Sequence, residues 1–286
     1  MKTETKDMKI IKDQRFPDER ALFRANDTII YGCEFDIGES PLKHSRNIEA
    51  HDCRFIWRYP VWYSEHVDMR NCTLGEGARA GMWYTNDITV RDSTVAAPKC
   101  FRRCNDVLLE NVDFPDGPET LWYCNNVRMK NIRAAGDYFG MNCSDMEIDD
   151  LDLKGHYHFD GVRNVVIRNS HLITKDTFWN SENVTVENSF ISGEYIGWNS
   201  KHLTFVNCTI ESLQGLCYIE DLVIRDCRFL NTTLAFEFST VDASIIGGID
   251  SVKNPSGGII RAESIGELIL EEDEVDVSKT KIILGT

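Results

Sequence analysis

The sequence contains no apolar run near the roughly 18 residues that a membrane-spanning helix needs. Residues 1–20 are polar and lack the apolar core of a secretory signal peptide. We therefore expect a cytoplasmic protein with no membrane partner. The chain has only 31 Lys and Arg against 46 Asp and Glu, a formal charge of −15, whereas nucleic-acid phosphates attract basic surfaces. The charge therefore argues against nucleic acid as a partner.

The ten cysteines do not form the close paired spacings of a zinc site, and the chain shows no helical periodicity. What the chain does contain is a repeat. Segments such as "DVLLENVDF", "NVRMKNIRA" and "NVVIRNSHL" recur, each with alternating apolar residues followed by Asp or Asn. The steps are 19 to 21 residues, and the Asx column consists of Asp52, Asn71, Asp92, Asn111, Asn131, Asp150, Asn169, Asn188, Asn207 and Asp226.

A period near 20 residues with two-residue alternation predicts an all-β, single-stranded, right-handed parallel β-helix of about 12 coils of 19–21 residues. The Asx residues suit the corners, because their side chains bond local backbone and tolerate a left-handed φ. One inward column would contain Val107, Val127, Met146, Val165 and Val184. We expect an N-terminal cap over residues 1–25, the β-helix over 26–250 and a capping segment over 251–286.

Most of the cysteines fall into two ladders of this repeat. Cys33, Cys53, Cys72, Cys208 and Cys227 follow the Asx corner, and Cys104, Cys124 and Cys143 take a position that other coils fill with Ser or Thr. Stacked side chains stay about 4.8 Å apart, which is longer than a disulfide prefers between Cβ atoms. Buried, reduced thiols are the better interpretation.

The third side of each coil, which precedes the Ser, Thr or Cys position, is less regular. One of its columns holds five of the six tryptophans. By alternation this column should face outward. The position that follows it is Tyr, Asn, Gly or Arg, and the coils with Asn or Gly suggest a second corner there. The alternative is that the tryptophans pack inside or under a loop. An exposed aromatic stripe with charges beside it suits a carbohydrate, and an Arg pair can hold a carboxylate through a bidentate fork. The candidate substrate-binding residues are Trp62, Trp83, Trp122, Trp179, Trp198, Arg103, Tyr138 and Tyr157.

The segment "GHYHFDG" places His156, His158 and Asp160 at alternating positions, so they could point the same way. Two histidines and one acid make only a partial metal site, so we expect no metal or other cofactor; a surface His-rich rung is the alternative. Acid–base chemistry needs carboxylates gathered in one cleft, and solvated charges are the alternative here. The candidate catalytic residues are Glu119, Asp137, His156, His158, Asp160, Asp176 and Arg102.

The motifs "GESPLKHS", "ARAGMWYT", "ETLWYC", "GDYFGMNC" and "GEYIGWNS", in this order, resemble an uncharacterised bacterial family, domain of unknown function 3737. The resemblance spans residues 15–258 and implies a pectin-lyase-like right-handed β-helix. Better-known members of that superfamily cleave or modify polysaccharides outside the cell, which is only a fold-level analogy. This chain lacks the Gly-His-Gly element of polygalacturonase-like sites and the diagnostic spacing of pectate-lyase-like calcium sites.

Two classes of function therefore stand open. The first is a protein that binds or modifies an oligosaccharide on the tryptophan-bearing side, as a hydrolase, lyase or isomerase. The second is a non-catalytic scaffold on which the tryptophans dock another protein or a second copy of the chain. An acidic mimic of DNA is weaker, because the charged columns alternate in sign.

Overall fold

The computed structural model describes residues 8–285, so the first seven residues of the predicted N-terminal cap and Thr286 lie outside the described part. The chain divides into two compact units, Met1–Gly136 (unit 1) and Asp137–Thr286 (unit 2). Each is a right-handed parallel β-helix, as the repeat predicts.

Unit 1 consists of seven coils in its described residues, and all the strand pairs within it are parallel. A single 3₁₀ turn spans Glu76–Ala78. The strands are β1 (Lys9–Lys12), β2 (Arg15–Phe16), β3 (Asn26–Tyr31), β4 (Glu34–Phe35), β5 (Arg46–His51), β6 (Arg54–Phe55), β7 (Glu65–Arg70), β8 (Thr73–Leu74), β9 (Asn86–Val95), β10 (Asn105–Phe114) and β11 (Asn125–Ala135).

Unit 2 adds eight coils, again with parallel pairing, and a 3₁₀ turn at Val277–Lys279. Its strands are β12 (Ser144–Gly155), β13 (Arg163–Arg168), β14 (His171–Thr174), β15 (Glu182–Glu187), β16 (Phe190–Glu194), β17 (Lys201–Val206), β18 (Thr209–Leu213), β19 (Leu222–Thr233), β20 (Thr240–Ile245), β21 (Gly248–Lys253), β22 (Gly257–Ala262), β23 (Ser264–Ile269) and β24 (Thr280–Leu284).

The described residues thus contain 15 coils rather than the 12 expected. The difference arises because parallel pairing continues into both predicted caps: β1 pairs with β3, and β24 pairs with β22. Coil strands therefore run through the described parts of residues 1–25 and 251–286. The role of these segments as caps stays a prediction.

Register between coils stacks like residues on like, which confirms the predicted ladders. Val107 pairs with Val127, and Val165 pairs with Val184, all of them buried. All ten residues of the Asx column have a left-handed φ between 49° and 60°. Their side chains also bond along the column, as where Asn207 Nδ2 donates to Asn188 Oδ1 at 2.8 Å. The Asx corner predicted from the repeat is confirmed.

All ten cysteines are buried thiols. In one ladder Ser64 Oγ donates to Leu42 O at 2.8 Å; in the other, Cys72 Sγ lies 3.4 Å from Ala50 O in the same arrangement. A thiol can thus replace the hydroxyl as a small buried donor. Burial raises the pKa of Cys100 and of Cys217 to about 12, so both thiols stay protonated at neutral pH.

Candidate functional site

The third side of unit 1 carries a column of stacked aromatic and cationic side chains. Trp62 and Trp83 stack with ring centroids 5.2 Å apart and an interplanar angle of 6°. The Arg102 guanidinium lies 4.5 Å from the ring centroid of Trp83 and 4.5 Å from that of Trp122. Lys43 extends the column, with Nζ 5.7 Å from the Trp62 centroid. Each cation–π contact at such a site stabilises by roughly 0.5–2 kcal/mol.

These tryptophans lie neither fully outside nor inside. All three are half-buried, and the indole N–H of Trp83 donates to Lys99 O at 2.7 Å. The Trp62 indole N–H likewise donates to Ala80 O. Because the ring faces stack on the neighbouring rungs, the rings present their edges to solvent. A ligand approaching this side therefore meets ring edges and cations rather than free ring faces.

A second column runs beside the first, at the corner that follows it. The rings of Tyr63 and Tyr84 stack 4.8 Å apart at 3°, and His44 stacks on Tyr63 at 5.2 Å. Arg103 lies 5.6 Å from the centroid of Tyr123. All of these residues have a left-handed φ, which confirms the corner predicted at this position. The corner turns their side chains outward, and the three tyrosines are 37–52% exposed.

We call the tryptophan column the inner column, the tyrosine column the outer column, and the two together the aromatic–cationic face. It contains four permanent cations, one histidine and no acid, in a chain of charge −15. Among the described residues, Arg24, Lys43 and Arg103 have no carboxylate within ion-pair distance, whereas Arg102 Nη2 lies 3.2 Å from Glu119 Oε2. The twelve residues of the face are Phe23, Arg24, Lys43, His44, Trp62, Tyr63, Trp83, Tyr84, Arg102, Arg103, Trp122 and Tyr123.

The pKa of the one histidine on this face reflects the charges around it. Loss of solvation lowers the pKa of His44, and the charges of Lys43, Arg24 and Arg20 lower it further. Neighbouring cations disfavour a protonated imidazole, so they favour an anion in the same place. The electrostatics of the face therefore suit an anionic ligand.

The same two columns have a different composition in unit 2. Asp160 occupies the rung before Trp179, and the rings of Trp179 and Trp198 are 6.1 Å apart and tilted by 34°. In two of its coils asparagines replace the tyrosines at the corner: Asn180 Nδ2 donates to Asp160 Oδ1 at 3.1 Å, and Asn199 Nδ2 to Asn180 Oδ1 at 2.8 Å. Aromatic rings take the corner again at Tyr218 and Phe238, with centroids 5.2 Å apart. Burial raises the pKa of Asp160, against the bonds from Asn180 and the Gly161 backbone. Unit 2 therefore lacks the continuous aromatic–cationic stack.

The prediction that His156, His158 and Asp160 could point the same way is wrong. His156 is exposed, His158 is buried to 1% exposure and Asp160 is half-buried. The segment is not extended, because Tyr157 and Phe159 between them have φ values of 60° and 54°. Alternation holds only in extended backbone, so it does not apply here. Within residues 8–285, no three His, Cys, Asp or Glu side chains come together as metal ligands.

Other predicted residues of unit 2 meet in pairs. Asp137 Oδ1 accepts from the backbone N–H of His156 at 2.9 Å and lies 3.0 Å from His156 Nδ1. Tyr138 and Tyr157 stack with centroids 5.0 Å apart. Asp176 is buried, and its Oδ1 has no hydrogen-bond partner among the described residues. Burial raises its pKa, as does Glu194, against the charges of Lys175 and His156.

Unit 2 also contains an open groove of about 630 Å³ that crosses five successive coils. Its wall includes His156, Lys175 and Glu194, and its floor follows β14, β16 and β18. Of the predicted catalytic residues only His156 lines the groove, whereas Glu119 and Arg102 belong to unit 1. Sequence reasoning missed the floor residues Ile173, Ser192, Glu211, Leu213 and Asn231.

A signal for those residues existed, since they stand at outward positions of the strands just before the third side. The outward position shared by β14, β16 and β18 reads Ile173, Ser192 and Glu211, so it begins with an apolar residue where a solvated strand usually carries a polar one. The outer tyrosines of unit 1 were missed for a different reason. Their position was interpreted only as a corner, without the stacking that a corner column permits.

No helix in the described part of the chain is long and apolar enough to cross a membrane. Among curated proteins, none matches the chain significantly. Of the solved structures it resembles, PfbA, a surface adhesin of Streptococcus pneumoniae, is 10% identical, with 96% of this chain and 82% of that one covered at a TM-score of 0.45.

The A-module of the mannuronan C-5 epimerase AlgE4 from Azotobacter vinelandii is also 10% identical, with 95% and 98% covered at a TM-score of 0.32. Likenesses this distant carry no argument about activity. The family match is of another kind, because it covers residues 9–283. The chain belongs to the family described as a protein of unknown function, DUF3737.

Proposed function

We propose that this protein binds an acidic oligosaccharide, with sugar carboxylates placed along the aromatic–cationic face of unit 1. The observation that carries the proposal is the composition of that face: four cations and no acid in a chain with 15 excess negative charges. Three of these cations, Arg24, Lys43 and Arg103, have no ion-pair partner among the described residues. They are therefore available to an incoming anion.

The spacing of the rungs supports a polymeric ligand. Neighbouring coils lie about 4.8 Å apart, so the face presents a repeating series of donors. Arg103 can engage a carboxylate through two parallel N–H donors, which a lysine cannot do. The tyrosine hydroxyls at the edge of the outer column can both donate and accept bonds from sugar hydroxyls. A chain of uronate residues combines both kinds of partner.

Isothermal titration calorimetry with oligouronates and with neutral oligosaccharides of equal length tests the proposal. We expect oligouronates to bind this face, and Arg103→Gln and Lys43→Gln each to weaken that binding about tenfold or more, as loss of a charge-assisted bond implies. Arg168→Gln is the matched control, because Arg168 is exposed, is paired with Glu187 and lies in unit 2. It should leave the affinity unchanged.

The result against the proposal would be oligouronate binding that is absent, or that is unchanged in both unit 1 variants. Binding of single-stranded nucleic acid with equal affinity and the same dependence on Arg103 would also contradict it, because the face would then recognise phosphate rather than sugar.

A second candidate is a non-catalytic docking module, favoured by the exposure of the stacked tyrosines. Tyr63 and Tyr123 are 45% and 52% exposed, and tyrosine is enriched in protein interfaces. Tyr63→Ala and Tyr123→Ala separate the two candidates. A docking surface should lose its protein partner in these variants, and oligouronate should not compete for it.

A further inference from the structure

We infer that the groove of unit 2 is a second and separate binding site, which takes an uncharged oligosaccharide. The groove crosses five coils, so its length is about 19 Å at one strand spacing per coil. That length suits an extended chain better than a compact metabolite. This inference does not rest on the aromatic–cationic face, since all lining residues belong to unit 2.

Two of the coils that line the groove pack closely at Gly193. An added Cβ there would lie 2.3 Å from the carbonyl oxygen of Thr174, which is far inside van der Waals contact. Only glycine allows the two coils to approach so closely at this point of the groove lining.

A fixed carboxylate stands on the floor. Glu211 Oε2 accepts from Ser192 Oγ at 3.2 Å, and its Oε1 accepts from Asn231 Nδ2 at 2.8 Å. These two neutral donors hold the carboxylate in place and leave further lone pairs on both oxygens. Planar acceptors held in this way suit pairs of hydroxyl groups, the hydrogen-bonding groups that a neutral sugar presents.

Apolar surface lies beside these acceptors. Ile173 is 38% exposed and Leu213 is 55% exposed, and both line the groove. Ligand sites commonly combine apolar lining with a few placed polar groups, which fits the C–H faces and hydroxyl edges of a sugar ring. A single exposed aliphatic side chain is common at protein surfaces, but these two lie in one groove beside fixed acceptors.

The charges of the groove exclude the ligand proposed for unit 1. Glu194 and Glu211 line it against the single amine of Lys175, which lies 3.7 Å from Glu194. A sugar carboxylate placed there would meet like charges, and such repulsion costs several kcal/mol in a binding site. The groove therefore favours an uncharged ligand over a uronate.

At one end of the groove, His156 is oriented by Asp137. The 3.0 Å contact between Asp137 Oδ1 and His156 Nδ1 favours a proton on Nδ1, which leaves Nε2 as the acceptor. His156 lines the groove, so its imidazole serves as a spectroscopic reporter of occupancy.

Calorimetric titration of the full chain with neutral oligosaccharides tests the inference. Glu211→Ala should weaken binding about 10- to 100-fold, because the removed group makes charge-assisted bonds. Glu187→Ala is the matched control: it removes a carboxylate from the same unit, on β15, and should leave the affinity unchanged. Glu211→Gln, which keeps the size and one acceptor, should give an intermediate loss and guards against a folding defect.

Absence of any neutral oligosaccharide that binds at millimolar concentration would overturn the inference, as would wild-type affinity in Glu211→Ala. The outcome is independent of the proposal for unit 1. Arg103→Gln should weaken oligouronate binding while leaving neutral-sugar binding intact, and Glu211→Ala should do the reverse.

Discussion

The two units build the same columns on the third side of their coils and fill them with different chemistry. In unit 1 the inner column is a continuous stack in which Arg102 lies between Trp83 and Trp122. In unit 2 the corresponding rungs hold Asp160 and then two tilted tryptophans, Trp179 and Trp198. The backbone is equivalent in both, since the corner residues share a left-handed φ.

The coil therefore determines where side chains stand, and the residues of each column determine the chemistry of the surface. Stacked in register, a column of one chemistry reinforces itself, because each ring or cation contacts the rungs before and after it. Rungs of another chemistry, here Met141 and Asp160, interrupt the column. One repeat can therefore carry a cationic face in one unit and a groove lined by carboxylates in the other.

The largest effect should come from breaking the continuous stack. Trp83→Ala removes the indole that contacts both Trp62 and Arg102. We expect a loss of about 3 kcal/mol in the free energy of unfolding. Trp179→Ala breaks an already interrupted column, and its loss should be smaller, about 1–2 kcal/mol. Urea denaturation of both variants measures the difference.

Each of the two tryptophans donates one indole bond to a backbone carbonyl, so they form a matched pair apart from their stacking. Equal losses in the free energy of unfolding of the two variants would contradict this expectation. They would mean that the continuous stack of unit 1 gives no more stability than the interrupted column of unit 2.

The smallest effect should come from replacing Asp160, which interrupts the column of unit 2. The pKa of Asp160 is raised by burial, so ionised Asp160 destabilises the folded state at neutral pH. Asp160→Asn should therefore be more stable than the wild type at pH 7, by about 0.5 kcal/mol, the usual size at partly exposed sites. The gain should disappear as the pH falls through the raised pKa. Urea denaturation midpoints of both proteins at pH 7 and pH 3 check this. A wild type that is more stable than Asp160→Asn at pH 7 would contradict it.

The fold could be predicted from the sequence because its signal repeats. Ten Asx residues at near-constant spacing, with alternating apolar residues before them, leave few other structures possible, and the structure places all ten in the left-handed region. The number of coils was underestimated because the Asx column is interrupted near both ends: Asp13 takes the corner after β1, but the next coil has Gly32 there, and Gly285 follows β24.

The third side was predicted less well, for a physical reason. Alternation assigns directions only in extended backbone, and this side turns through left-handed residues such as Tyr157, Phe159 and Phe178. His158 was therefore placed on the surface although it is buried. The tryptophans were identified as one column, but their stacking on Arg102 depends on register between coils rather than on any single coil.

Most of the groove could not be derived from the sequence, although the apolar Ile173 at an outward strand position was a signal for it. Its residues come from five coils, and Gly193 lets two of these coils approach closely at the Thr174 carbonyl oxygen. Nothing in one repeat reports such an approach. Glu211 is an ordinary outward glutamate in the sequence, and only its bonds to Ser192 and Asn231 distinguish it.

Histidine side-chain NMR on the full chain, with an oligouronate and a neutral oligosaccharide added in turn, tests whether the two units hold separate sites. His44 stands on the face of unit 1, and His156 lines the groove of unit 2. The oligouronate should raise the pKa of His44, because an adjacent anion favours the protonated imidazole, and should leave His156 unmoved. The neutral oligosaccharide should change the NMR chemical shifts of the His156 ring alone. One ligand that moves both histidines equally, or neither ligand moving either, would contradict the assignment of two separate sites.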